Sequence, residues 1–186
     1  MTLLIVGLGN PGKTYEKTRH NVGFFTLEIL YKKLFGFHNF SEFKEEKKFK
    51  ALVSKKVPNG IILAKPLTFM NNSGESVNLL TDFYKIPINP ENLWVIHDDI
   101  DLSLGQYRIQ ESRGSAGHKG VSSVIEILGT KNFKRVRIGI LAPSKGKIPT
   151  EDYVLQKFPK DEEKILKKCI EEVVEKLLEL LNSYCL

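Results

Sequence analysis

Cysteine is scarce in this chain, with two residues in 186, and neither belongs to a Cys-x-x-Cys pair or to a Cys/His spacing. That excludes a disulfide framework and a zinc-stapled fold as sources of stability. Cys169 falls on the apolar side of a helical pattern and Cys185 is the penultimate residue; such thiols suit a reduced cytoplasm. Long apolar runs are missing as well. Leu3 to Val6 stops at Gly7, too short for a signal-peptide core or for the roughly 20 residues of a membrane span. There are no internal repeats and no low-complexity linker, so one domain covering 1–186 is expected, and a domain of this size buries roughly 70% of its unfolded surface. Acid is the minority charge: 28 Lys and Arg against 22 Asp and Glu leave +6, which favours a polyanionic partner.

What is present is concentrated at the start. Thr2 to Val6 reads as a buried strand that enters Gly7-Leu8-Gly9-Asn10-Pro11-Gly12. The glycines fit G-x-G-x-x-G, yet a dinucleotide fingerprint must open a helix and needs an acid about 20 residues on, at the end of a second strand. Asn10-Pro11-Gly12-Lys13 is turn chemistry instead, and Glu28 lies inside a helical pattern. A dinucleotide-dependent oxidoreductase is therefore a rival reading only. The segment is read as an exposed loop after a strand, carrying Asn10, Tyr15 and His20.

Strand and helix patterns then alternate. Phe24, Leu27, Leu30 and Leu34 recur at helical spacing, and a charged stretch from Phe37 to Lys48 follows. Phe49 to Val57 and Gly60 to Ala64 read as strands joined across Pro58-Asn59-Gly60. Ser73 or Asn72 is expected to cap a helix with Val77, Leu80 and Tyr84 on its face, ending before Pro87. Leu93 to His97, Gln106 to Gln110 and Arg135 to Leu141 read as strands, with a helix from Val121 to Leu128. From Asp161 onward, Ile165, Cys169, Val173, Leu177 and Leu181 form one stripe, with Leu166, Ile170 and Val174 beside it. The order predicts an α/β fold: a twisted mixed, mostly parallel sheet with helices on both faces. Ala142 to Gln156 is the one long irregular connection, of the kind that forms lids.

Four polar clusters fall where strands end: Asn10 with His20; Lys65 to Gly74; His97-Asp98-Asp99-Ile100-Asp101; and Arg113 to Gly120. In an open α/β sheet the carboxyl ends of neighbouring parallel strands converge on one crevice, so these can form one site. Taken singly each has a plain explanation: a loop histidine is solvated, an aspartate caps a turn, and the asparagines cap a helix. Combined, a histidine with an aspartate to fix its tautomer and asparagines to hold an acyl group suit general-base hydrolysis. Water would be the nucleophile, since no serine or cysteine sits in a nucleophile elbow.

Gly7 to Gly12 through Tyr15 and Thr18-Arg19-His20-Asn21-Val22-Gly23 resembles the N-terminal signature of the bacterial peptidyl-tRNA hydrolases. The resemblance continues in Lys65-Pro66 with Thr68 to Asn71 and Ser73-Gly74, in His97 to Leu102, in Gly117-His118 with Gly120, in Arg135 with Arg137 to Ile140, and in Asp152 to Leu155 with Phe158. It spans residues 3 to about 158 in register.

The resemblance implies hydrolysis of the ester between a peptide and the 3′ ribose of tRNA by a cytoplasmic monomer, without metal or cofactor. It makes His20 the base and Asp98 its orienting partner. Asn10 and Asn71 position peptide and water, Phe69 and Met70 line the cleft, Tyr15 flanks it, and His118 and residue 119 contact substrate. Arg108 and Arg137 match positions that meet tRNA phosphates. Two positions depart from the pattern. Lys119 stands where an asparagine is usual, and Gln110 where a lysine holds the terminal phosphate. A rival within the same fold is a non-hydrolytic RNA-binding module, against which the joint presence of Asn10, His20, Asn71 and Asp98 argues.

Overall fold

The computed structural model describes residues 2–35, 39–56 and 60–182. Seven strands form one sheet: β1 (Leu3–Gly7), β2 (Lys44–Glu46), β3 (Ala51–Lys55), β4 (Ile61–Pro66), β5 (Leu93–Ser103), β6 (Tyr107–Glu111) and β7 (Lys134–Leu141). Their order is β2-β3-β4-β1-β5-β7-β6. The four central strands run parallel, while β2 and β3 at one edge and β6 at the other pair antiparallel. This is the mixed sheet the alternation predicts. The turn predicted at Pro58-Asn59 and the residues Phe37 and Cys185 lie outside the described residues.

The helices are α1 (Val22–Phe35), α2 (Ser73–Tyr84), α3 (Lys119–Leu128), the single turn α4 (Thr150–Tyr153) and α5 (Lys160–Asn182). Alternation along β1 assigns them to faces. Leu3 and Ile5 join a core with Leu27, Leu30 and Leu34 of α1 and with Leu166, Ile170 and Leu177 of α5. Leu4 and Val6 join a second core with Val77 and Leu80 of α2 and Val121 and Val124 of α3. A strand buried on both faces reads as an unbroken apolar run, which is why β1 and the first half of β5 show no polar alternation.

Several local expectations need correction. Ile165 is 48% exposed, so the expected stripe of α5 loses its first member; Cys169, Val173, Leu177 and Leu181 are buried as expected, with Leu166, Ile170 and Val174 beside them. Burial there pushes the Cys169 thiol up to about 11, so it is a packing residue. Neither Asn72 nor Ser73 caps α2 with its side chain: Ser73 Oγ donates to the Met70 carbonyl at 2.9 Å. β5 does not end at His97 but continues to Ser103. Asp98 and Asp99 remain in the strand because neighbouring side chains satisfy them, which strand propensity does not register. The connection after β7 is not wholly irregular, since it holds a 3-10 turn at Pro143–Lys145 and then α4.

The glycines at the start have a packing reason. A side chain at Gly7 would meet the Gly23 carbonyl oxygen at 2.4 Å, and one at Gly23 would meet the Ile96 carbonyl oxygen at the same distance. Their absence lets the N-terminus of α1 lie against the ends of β1 and β5, carrying the residues just ahead of α1 to the sheet's carboxyl edge.

Candidate active site

That edge opens into a cleft of about 930 Å³. After β1, Asn10 is braced by Asn21: the Asn10 backbone N–H donates to Asn21 Oδ1 at 2.8 Å, and Asn21 Nδ2 donates to the Asn10 carbonyl at 3.0 Å. Asn10 Oδ1 accepts the Met70 N–H at 2.8 Å, which settles the amide orientation. Its Nδ2 hydrogens are left for the cleft, which Asn10 lines.

His20 sits in a 3-10 turn, Arg19–Asn21, directly before α1. It is 8% exposed and Asn10 7%, so the expectation of an exposed loop was wrong. The segment is buried because it is laced to the chain ahead of α5. Arg19 N–H donates to the Gln156 carbonyl at 2.9 Å and His20 N–H to that of Val154 at 2.8 Å, while Thr18 bridges Lys157. The Arg19 guanidinium packs over Tyr153 and Phe158 and pairs with Glu162 at 2.6 Å, both nearly enclosed. Sequence reasoning missed Arg19 and Glu162, since nothing local marks a partner so distant along the chain.

Asp98 joins two imidazoles. His20 Nδ1 lies 2.9 and 3.0 Å from the two Asp98 oxygens, and His118 Nε2 lies 2.8 Å from Oδ1. A carboxylate only accepts, so both nitrogens carry hydrogen, and Nε2 is the His20 nitrogen not engaged by Asp98. Burial by itself would raise the Asp98 carboxyl, but electrostatic attraction to the ring N–H groups of His20 and His118, with the hydrogen bonds they donate, outweighs it and holds it well below the usual carboxylate range. His97 lies beneath, its ring 4.7 Å from that of His118 and its Nδ1 donating to the Asp98 carbonyl at 2.6 Å. Burial, with His118 adding to it, lowers the His97 pKa well below the ordinary value and keeps it neutral. Asp99 turns elsewhere: it accepts Arg137 Nε at 2.6 Å and the Asp101 N–H at 2.8 Å.

The other predicted site residues divide in two. Tyr15, Phe69, Met70, Asn71, His118 and Lys119 all line the cleft. Tyr15 and Phe69 meet edge to face at 6.3 Å, with Phe69 54% exposed, so they form an apolar rim. Lys119 is exposed and is the first residue of α3, an unfavourable place for a cation in the helix dipole. Arg108 and Arg137 do not line the cleft. Arg108 is exposed on β6 opposite Arg137. Arg137 is 3% exposed; its Nη1 donates to Gln110 at 2.6 Å and its Nε to Asp99, so in this arrangement it braces Asp99. The opposite wall comes from Pro149 to Asp152 at α4, beside Val154 and Leu155, where the sequence placed its lid connection.

Ligating atoms of His20, Asp98 and His118 lie within 4.8 Å of one another, the one such trio found among the described residues. Their contacts are hydrogen-bond lengths. A cation at about 2.0–2.2 Å from each would have to displace both imidazole protons, and the other His118 nitrogen is already engaged at the start of α3. What the site offers instead is a hydrogen-bonded base beside amide donors, able to activate water next to a polarised carbonyl.

Residues 4–185 match the family model described as peptidyl-tRNA hydrolase. The chain is 46% identical over 179 residues to a peptidyl-tRNA hydrolase of Aquifex aeolicus, covering 96% of this chain and 90% of that one. It is 45% identical over 169 residues to one of Staphylococcus haemolyticus, covering 90% and 84%. In three dimensions it is similar to the crystal structure of peptidyl-tRNA hydrolase from Acinetobacter baumannii, with a TM-score of 0.85 at 34% identity over 98% of this chain and 90% of that one. The chain belongs to the peptidyl-tRNA hydrolase family.

Proposed function

We propose that this enzyme hydrolyses the ester joining a peptide's terminal carboxyl to the 3′ ribose of tRNA, with His20 as general base. The observation that carries this is the free Nε2 of His20 in the cleft, its ring held through Nδ1 by a buried carboxylate. His20 Nε2 takes a proton from water as the oxygen attacks the ester carbon. The tetrahedral intermediate then collapses, and the same proton passes to the departing ribose oxygen, giving a free peptide carboxylic acid and a tRNA 3′ hydroxyl. An ester leaving group needs less protonation than an amide, so one base and a few donors suffice. Asn10 Nδ2 and Asn71 supply donors to the acyl group and the water. Tyr15, Phe69 and Met70 hold the peptide, in a cleft wide enough for several residues of chain.

The partner is tRNA, bound through phosphates by Lys119 and Arg108, in keeping with the +6 charge. The enzyme works as a cytoplasmic monomer and needs neither metal nor cofactor. No helix among the described residues is long and apolar enough to cross a membrane. An N-blocked aminoacyl-tRNA tests the reading: the enzyme releases free tRNA and the blocked amino acid, and tRNA bound without release would point to the RNA-binding alternative.

A further inference from the structure

His118 has no free ring nitrogen. Its Nε2–H reaches Asp98 Oδ1 at 2.8 Å. Its Nδ1 lies 3.1 and 3.2 Å from the backbone nitrogens of Gly120 and Val121, so it accepts their hydrogens and caps α3. Two N–H groups aimed at Nδ1 forbid a proton there, and that fixes the tautomer. His20 is fixed the opposite way, with hydrogen on Nδ1 and Nε2 bare. Its ring centroid is 4.8 Å from that of His118. The two meet on one carboxylate oxygen. His97 packs beneath the His118 ring, and Gly120 lies beside it, where a side chain would strike Met70 Sδ and meet His118 Cε1 at 3.2 Å.

We infer that His118 is a positioning residue: it ties the N-terminus of α3 to Asp98 and so fixes the carboxylate rotamer that holds His20 with Nε2 toward the substrate. It acts through Asp98 and does not itself take the proton. This rests on His20 being the base, and it departs from a direct role for His118 in holding the peptide.

Two substitutions separate the halves of the ring. In His118→Asn the side-chain oxygen falls about where Nδ1 was and keeps the cap, but nothing reaches Asp98. In His118→Gln the amide nitrogen falls about where Nε2 was and keeps the Asp98 contact while losing the cap. Steady-state hydrolysis of a blocked aminoacyl-tRNA should show kcat lowered by at least about tenfold in the Asn variant, with KM little changed. The Gln variant should retain most of kcat yet unfold at lower urea. Nitrogen-15 NMR of histidine-labelled wild-type protein at neutral pH supplies a readout that needs no substrate: His118 should be protonated on Nε2 and His20 on Nδ1. A rise in KM with kcat preserved in both variants overturns the inference, as does a wild-type His118 protonated on Nδ1. If no ester is hydrolysed at all, the proposed function fails, and the tautomers still decide the hydrogen-bonding arrangement.

Discussion

Asp98 and Asp99 are neighbours on β5 and do different work. Asp98 carries the two imidazoles, whereas Asp99 neutralises a buried guanidinium. Asp98→Asn should therefore lower kcat strongly with modest loss of stability, since an amide can present its N–H to the wrong tautomer of His20. Asp99→Asn should act mainly on folding, by about 3–5 kcal/mol, because it leaves Arg137 buried without its counter-charge. Parallel kinetics and urea unfolding of the two variants check this; the opposite assignment of defects would mean that Asp98 is not the partner of His20 in catalysis. Local pattern alone does not tell apart the two adjacent carboxylates of His97-Asp98-Asp99; the family resemblance singles out Asp98, and Asp98 is the one that meets His20. The burial of Arg137 was hidden. Its partners Asp99 and Gln110 come from β5 and β6 and are brought together only by strand order.

The segment before α1 owes its place to an element far away in sequence. Arg19 pairs with Glu162 at the start of α5 and packs on Tyr153 and Phe158, so the turn bearing His20, the α4 wall of the cleft and α5 form one unit. Glu162→Ala should cost about 3–5 kcal/mol by leaving the guanidinium unpaired, measured by urea unfolding, and should also slow hydrolysis because the His20 backbone loses its anchor. Unchanged stability would show that the pair is dispensable. At this scale the chain was partly readable. Hydrophobic periodicity places α1, α3 and α5 and the alternating order of the sheet, because burial imposes those periods. It puts Ile165 on the α5 stripe, where that residue is exposed, and it ends β5 too early, the latter because periodicity weighs side chains by polarity and cannot see that a polar side chain has found a partner.

For the molecule as a whole, acid should be destabilising in two steps. The folded state keeps His97 neutral, so below its ordinary value of about 6.5 the unfolded chain binds a proton that the folded chain refuses, and stability falls as pH drops. Asp98 adds to this. Its folded value is depressed, so its contribution is complete above about pH 4 and is lost as the pH falls through the folded value. Urea midpoints should decline from pH 7.5 to 5.5 and again below 4; a midpoint that rises on acidification would contradict a neutral buried His97. Charge should show in binding. Lys119→Asn should weaken tRNA binding and reduce the log-log salt slope by roughly one unit, and an unchanged slope would leave Lys119 as ordinary surface.

The central claim is that His20 is the base. Single-turnover hydrolysis of a blocked aminoacyl-tRNA tests it most directly, comparing wild type with His20→Ala at enzyme concentrations that saturate tRNA binding in both. The account predicts a rate lowered about 10²–10⁴-fold with tRNA affinity retained; a rate for His20→Ala equal to that of the wild type would contradict it.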